Sequence, residues 1–100
     1  MNDRPNYEIE RTLVLSTTHI TREDDALLER EDLVNTTYDP YEFGVRVFIS
    51  NDPAYRLATR LDGFSVAFQD LIELAHAKGC SWLRLDSDGP VMDNLKTFDW

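Results

Sequence analysis

Tyr41-Glu-Phe-Gly-Val-Arg-Val-Phe-Ile49 is the stretch whose reading decides the fold. Tyr41, Phe43, Val45, Val47 and Ile49 alternate with Glu42, Gly44, Arg46, Phe48 and Ser50. A period of two sends the two sets to opposite sides of a pleated strand. Just before it, Asp39-Pro40-Tyr41-Glu42 has turn chemistry, with Pro40 fixing φ at the first central position. Residues 33–38 ahead of that turn are weakly β-prone, so the segment predicts a hairpin.

Working outward, Arg11-Thr-Leu-Val-Leu-Ser-Thr17 is a short apolar run of β-formers, too short for a helix, and predicts a buried strand. Thr21-Arg-Glu-Asp24 resembles a capping box, with Asp in place of Glu or Gln at its third position on. Glu23, Asp24 and Asp25 fall in the first turn, where the helix dipole favours anions. Ala26, Leu27, Leu28 and Leu33 then give the apolar side of a helix of about three turns.

On the other side, Asp52 and Pro53 are an N-cap and a first helical residue. Asp62-Gly63 breaks or kinks the helix begun there. From Phe64 the apolar residues Phe64, Ala67, Phe68, Leu71, Ile72 and Ala75 form a stripe, with Ser65, Gln69, Glu73 and His76 opposite and Gly79 as the stop. Residues 81–86 are a last strand. The order β-α-β-β-α-β is that of the ferredoxin-like split βαβ fold, an α+β class. The expectation is two helices on one face of a sheet of three or four strands. Residues 1–10 are expected to be a flexible acidic arm and residues 11–100 a single domain.

One hundred residues at 42% apolar make one domain with a modest core. The lone Cys80 excludes an internal disulfide and a Cys-based zinc site, and fits a reducing compartment. No apolar run approaches the roughly 20 residues of a bilayer span, and residues 1–20 lack the pattern of a signal peptide. The chain is expected to be soluble and cytoplasmic, away from membranes. Its formal charge of −9 is uneven: residues 1–42 hold eleven Asp/Glu against four Arg, whereas residues 43–80 hold four of each sign. Such a balance argues against direct binding to nucleic acid, because phosphate contacts need Lys and Arg. Charge confined to one part of a small domain makes a field that selects partners.

No catalytic set is complete. Asp86-x-Asp88-Gly89 follows a strand, where two carboxylates can share a divalent ion. The same residues make an ordinary Asx turn, and no Lys or Ser/Thr motif completes a phosphoryl-transfer set. Ser16-Thr-Thr-His19 pairs a hydroxyl with an imidazole, but without a glycine-framed elbow or oxyanion-hole glycines. His19 is therefore expected to anchor the strand-to-helix turn by hydrogen bonding, and His76 to be solvated. The chain calls for no cofactor and no metal, and it is not expected to be an enzyme.

Leu13-Val-Leu-Ser-Thr-Thr-His-Ile-Thr21, Trp82-Leu-Arg-Leu-Asp-Ser-Asp-Gly-Pro90 and Leu95-Lys-Thr-Phe-Asp-Trp100 resemble a domain-of-unknown-function family of small acidic proteins from bacterial plasmids, integrative elements and phages. The resemblance runs from Leu13 onward. It carries no residue-level chemistry, but it implies a mobile-DNA setting, in which small acidic proteins blunt host restriction or CRISPR machinery.

The resulting expectation is a non-enzymatic nucleic-acid mimic that occupies a basic nucleic-acid-binding protein surface, of the anti-CRISPR or anti-restriction type. Its partner-binding residues would be Glu23, Asp24, Asp25, Glu29, Glu31, Asp32, Asp39, Tyr41 and Glu42, with the carboxylates imitating a phosphate backbone. Tyr38, Phe43 and Trp100 are further aromatic anchors for such an interface. Two alternatives stand beside it: a metal-dependent hydrolase or phosphotransfer protein using Asp86 and Asp88, and a homodimeric assembly protein.

Overall fold

The computed structural model describes residues 8–100. Residues 1–7 of the expected arm lie outside the described residues, while residues 8–10 are exposed and belong to neither helix nor strand. The elements are β1 (Thr12–Ser16), α1 (Arg22–Leu28), β2 (Tyr38–Tyr41), β3 (Gly44–Phe48), α2 (Pro53–Ala58), α3 (Val66–Ala77) and β4 (Trp82–Asp86), with short 3₁₀ turns at Thr17–His19 and Thr59–Asp62.

Each helix starts where a side chain can replace a missing backbone partner. Thr21 Oγ1 accepts the Asp24 N–H at 3.0 Å while Asp24 Oδ2 accepts the Thr21 N–H at 3.1 Å, a reciprocal capping box. Asp52 Oδ1 accepts the Ala54 N–H ahead of α2, with Pro53 in the first turn. Ser65 Oγ accepts the Phe68 N–H and opens α3. Gly63, at φ 103°, lets the chain turn between the 3₁₀ segment and α3 in a conformation that costs other residues.

The sheet order is β1-β4-β3-β2, with β1 parallel to β4 and the other pairs antiparallel. β1 and β2 thus point the same way at opposite edges, joined through α1, with β4 and β3 inserted between them. This is a split β-α-β unit, and the whole is a small α+β domain of the ferredoxin-like type. Register aligns Leu13 with Leu83, Leu15 with Leu85, Val45 with Leu85 and Val47 with Leu83. Those side chains line one face, and they join Leu28 of α1 and Phe68, Leu71, Ile72 and Ala75 of α3 in one buried core. On the opposite face Thr12, Arg84 and Phe48 are exposed and Val14, Trp82 and Arg46 half-buried. α2 is tied to the rest by Arg56. Its buried guanidinium pairs with Glu73 at 2.9 Å and donates to the carbonyls of Ser50 and Asn51.

Several local expectations need correction. The hairpin turn is Glu42-Phe43, not residues 39–42; Asp39 and Pro40 lie inside β2. Pro40 is tolerated there because β2 is an edge strand, where a missing N–H forfeits no ladder bond. Val45, Val47 and Ile49 are buried as the alternation requires, but Tyr41 and Phe43 fall outside β3 and are exposed. α1 spans seven residues and ends before Leu33, which still packs against the core. The second helical stretch is two helices, giving three α-helices among the described residues, and Phe64 precedes α3 rather than belonging to it. Phe64 keeps its core role by stacking on Phe68, with centroids 4.0 Å apart.

Phe68 is fully buried at the centre of this packing. Phe68→Ala is expected to lower the unfolding free energy by about 3–5 kcal/mol through lost burial and a residual cavity. Leu57→Ala, on the exposed side of α2, should change it by less than about 0.5 kcal/mol. Urea unfolding of the two variants checks both.

Candidate functional site

Residues 13–21, 82–90 and 95–100 form one structural unit. β1 and β4 lie side by side, and residues 87–100 return across the end of β1. Ser16 N–H donates to the Pro90 carbonyl at 2.9 Å, Phe98 N–H to Thr18 O at 2.8 Å, and Trp100 Nε1–H to Ile20 O at 3.0 Å. The approach is close enough that a Cβ on Gly89 would sit 2.5 Å from the Leu15 carbonyl oxygen. His19 is the buried fastening. The Met92 N–H donates to its Nε2 at 3.0 Å, so Nδ1 carries the ring proton and donates to Lys96 O at 2.8 Å. The expected anchoring role of His19 holds, but its partners lie 73 and 77 residues away in the chain. With both ring nitrogens on main-chain groups, and with Ser16 Oγ accepting from Thr18, the two residues do not form a nucleophile and base. His76 is half-buried rather than solvated.

This C-terminal strap delivers Trp100 to a cleft of about 390 Å³ at the end of the sheet, where α1 faces the β2–β3 turn. Asp25 of α1, Glu29 at its C-cap, Glu42 of the turn, and the aromatic residues Phe43 and Trp100 line it, with Tyr41 at its edge turning its hydroxyl toward Asp86. None of the three carboxylates has an ion-pair partner among the described residues. Partial burial, and then the neighbouring Glu29 charge, push the Asp25 carboxyl above its ordinary range. Phe43 and Trp100 are 53% and 47% exposed, so their rings are available to a partner. Carboxylates flanked by accessible aromatic faces suit a cation on an apolar stem.

The structure divides the expected partner-binding residues. Asp25, Glu29, Tyr41 and Glu42 come together in the cleft. Glu23 and Glu31 are exposed nearby in sequence but do not line it. Asp32 is engaged by Arg30 in a two-bond fork of 2.8 and 2.6 Å, which holds its carboxyl below the ordinary value. Asp39 sits on the helix-free sheet face, 3.1 Å from Arg46. Asp24 is a correction. It is 1% exposed and accepts from Thr21 N, Ser65 N and Ser65 Oγ, so its charge is spent inside the protein. Tyr38, another expected anchor, is half-buried and its hydroxyl donates to the Arg30 carbonyl. Phe43 and Trp100, expected as further aromatic anchors, both line the cleft, but nothing in the sequence brings Trp100 to the same place as Asp25 and Glu42.

Asp86 and Asp88 make the Asx turn: Asp86 Oδ1 accepts the Asp88 N–H at 2.8 Å. Asp86 Oδ2 accepts the Tyr41 hydroxyl at 2.6 Å. Among the described residues no group of three or more His, Cys, Asp or Glu is arranged to hold a metal ion, and no helix is long and apolar enough to cross a membrane.

Comparison with known proteins places the chain in a family: residues 12–100 match the model of the family of unknown function (DUF5983) C-terminal domain, and the protein belongs to that family. The match begins at the first residue of β1 and takes in every element of the domain and the whole strap. No curated protein matches the chain, and no solved structure matches it.

These contacts have two measurable consequences. Burial, and then the bond to Asp86, raise the Tyr41 hydroxyl from 10.0 to about 12, while the same bond lowers Asp86 below 3.8. The hydroxyl must stay protonated to donate, so the stability this contact gives is complete below pH 10.0 and lost as pH rises toward about 12. At the acid end it is present above 3.8 and lost as pH falls through the lowered Asp86 value. Ultraviolet titration should find one tyrosine ionising late, and Asp86→Asn should bring it part of the way back. In a separate experiment Asp24→Asn should destabilise the fold by about 1–3 kcal/mol, because two N–H groups and a hydroxyl lose a charged acceptor. Exposed Glu23→Gln should be near neutral by the same denaturant assay.

Proposed function

We propose that the protein is a non-enzymatic binding module whose acidic, aromatic-walled cleft engages the basic nucleic-acid-handling surface of a bacterial defence complex and blocks access of DNA or guide. The observation that carries this reading is the convergence of Asp25, Glu29 and Glu42, without ion-pair partners among the described residues, beside the exposed aromatic residues Phe43 and Trp100. A Lys or Arg row normally apposed to phosphates would meet carboxylates instead, and the rings would cover the aliphatic stems. Exposed Glu23 and Glu31 add to the field that steers encounter without lining the cleft. The choice of a defence complex, and of a plasmid, integrative-element or phage origin, rests on the resemblance of residues 13–21, 82–90 and 95–100 to small acidic proteins of mobile DNA.

The test is capture from a bacterial lysate with the wild type and with the triple variant Asp25→Asn, Glu29→Gln, Glu42→Gln, which spares the buried Asp24. The wild type should retain a nucleic-acid-handling protein whose recovery falls as salt rises, and the triple variant should lose it. Capture equal with both proteins, or a partner whose contact surface is acidic, overturns the reading.

A further inference from the structure

The helix-free face of the sheet has a chemistry opposite to that of the cleft, and we propose that it binds a single nucleoside phosphate, with the phosphate between Arg84 and Arg46 and the base against Phe48. Register puts these two arginines directly across from one another on adjacent antiparallel strands. Like charges directly opposite are unfavourable, and of these two only Arg46 has a carboxylate partner, Asp39, among the described residues. Arg46 is held in place, its guanidinium 4.4 Å from the Trp82 ring centroid and 3.1 Å from Asp39. Arg84 is exposed and makes no ion pair or side-chain hydrogen bond among the described residues. The nearest acid along its strand, Asp86, is already occupied by the Tyr41 hydroxyl and the Asp88 N–H. Paired in register, one guanidinium held over Trp82 and one that is open give an anion two charge-assisted donors to reach.

The next row of the same face supplies the ring surface. Phe48 and Trp82 are register partners in edge-to-face contact, centroids 5.4 Å apart and planes at 72°. Phe48 remains 42% exposed. Backbone rows on one face of a strand are about 7 Å apart, so Phe48 and Arg84 fall within the reach of one nucleotide. Base stacking on aromatic side chains and on guanidinium planes is a general mode of nucleotide recognition. The borders limit the ligand to one unit. Asp39 flanks Arg46, Asp86 follows Arg84, and Glu10 accepts the Trp82 indole N–H at 3.2 Å. A longer strand would carry its further phosphates into those carboxylates, so this site agrees with the exclusion of extended nucleic acid drawn from overall charge.

The two tryptophans make the test direct. Trp82 lies on the proposed site, whereas the Trp100 indole donates to Ile20 O at the strap and serves as an internal reference. Titrating AMP into labelled protein should shift the Trp82 indole and the Arg46 and Arg84 side-chain NMR signals and leave the Trp100 indole in place. Adenosine and inorganic phosphate, each lacking one half of the ligand, should each bind at least about tenfold more weakly than AMP, as should AMP to Arg84→Ala, where a charge-assisted contact is lost. Phe48→Ala should weaken AMP binding and leave phosphate binding unchanged. Arg84 and Phe48 are exposed, so a wild-type spectrum elsewhere shows that these variants fold. The proposal is overturned if AMP leaves Trp82 unmoved, if adenosine binds as well as AMP, or if Arg84→Ala binds unchanged. It is equally overturned if a short single-stranded oligonucleotide or an acidic peptide takes the face more tightly than AMP.

Discussion

A buried carboxylate joins the starts of two helices, and much of the domain's geometry hangs on it. Asp24 closes the capping box of α1 from within and receives the Ser65 N–H at 2.8 Å and the Ser65 hydroxyl at 2.6 Å. Ser65 is itself the N-cap of α3. One negative charge therefore fixes both helix origins, and α3 carries Phe68, Leu71, Ile72 and Ala75 onto the sheet from that point. A charge of this burial is tolerable only with a full set of donors, here two backbone N–H groups and a hydroxyl. The arrangement constrains relative position more tightly than apolar contact does, because hydrogen bonds are directional.

The strap extends the same logic to the chain's end. Residues 87–100 belong to no helix or strand, yet they are held at Ser16, Thr18, His19 and Ile20 by backbone and ring hydrogen bonds. The shape of the acidic cleft depends on this, since Trp100 is one of its walls and reaches it only through the strap. Asp25 contributes from α1 and Glu29 from its C-cap, and Asp24 orients that helix. Cleft and core therefore share their supports, and a change at His19 would reach the cleft without His19 lining it.

How much of this is legible in the sequence depends on the range of the interaction. Local signals read well: the alternation at Val45, Val47 and Ile49, the caps at Asp52 and Thr21, the stripe from Ala67 to Ala75, and the Asx turn at Asp86. The turn expected at Asp39-Pro40 does not, because the propensity of a Pro dipeptide cannot reveal that its strand lies at a sheet edge. Asp24 carries two signals, one of a cap and one of a surface charge. Only the first holds, because its second partner, Ser65, is 41 residues away. Separation along the chain equally hides the His19 bonds and the place of Trp100. The acidic cluster is visible as composition, but which acids share a cleft is set by α1 ending at Leu28 and by the hairpin turning at Glu42-Phe43.

Overall charge proves a poor guide to individual surfaces. The −9 of the chain is resolved in three dimensions into carboxylates spent on structure (Asp24, Asp52), carboxylates balanced by arginine (Asp32, Asp39, Glu73), and those such as Asp25, Glu29 and Glu42 that have no ion-pair partner among the described residues. Arg46 and Arg84 stand together on the helix-free face of the sheet, across from the helices that complete the core. Near a low-dielectric surface, what a ligand meets is the local arrangement of charge, since more distant charges are screened within about 8–10 Å at ordinary ionic strength. A strongly acidic domain can in this way present a cleft of carboxylates at the end of its sheet and a pair of arginines on the sheet's face. The first is set by side chains that the fold leaves without ion-pair partners, and the second by the strict register of β3 on β4.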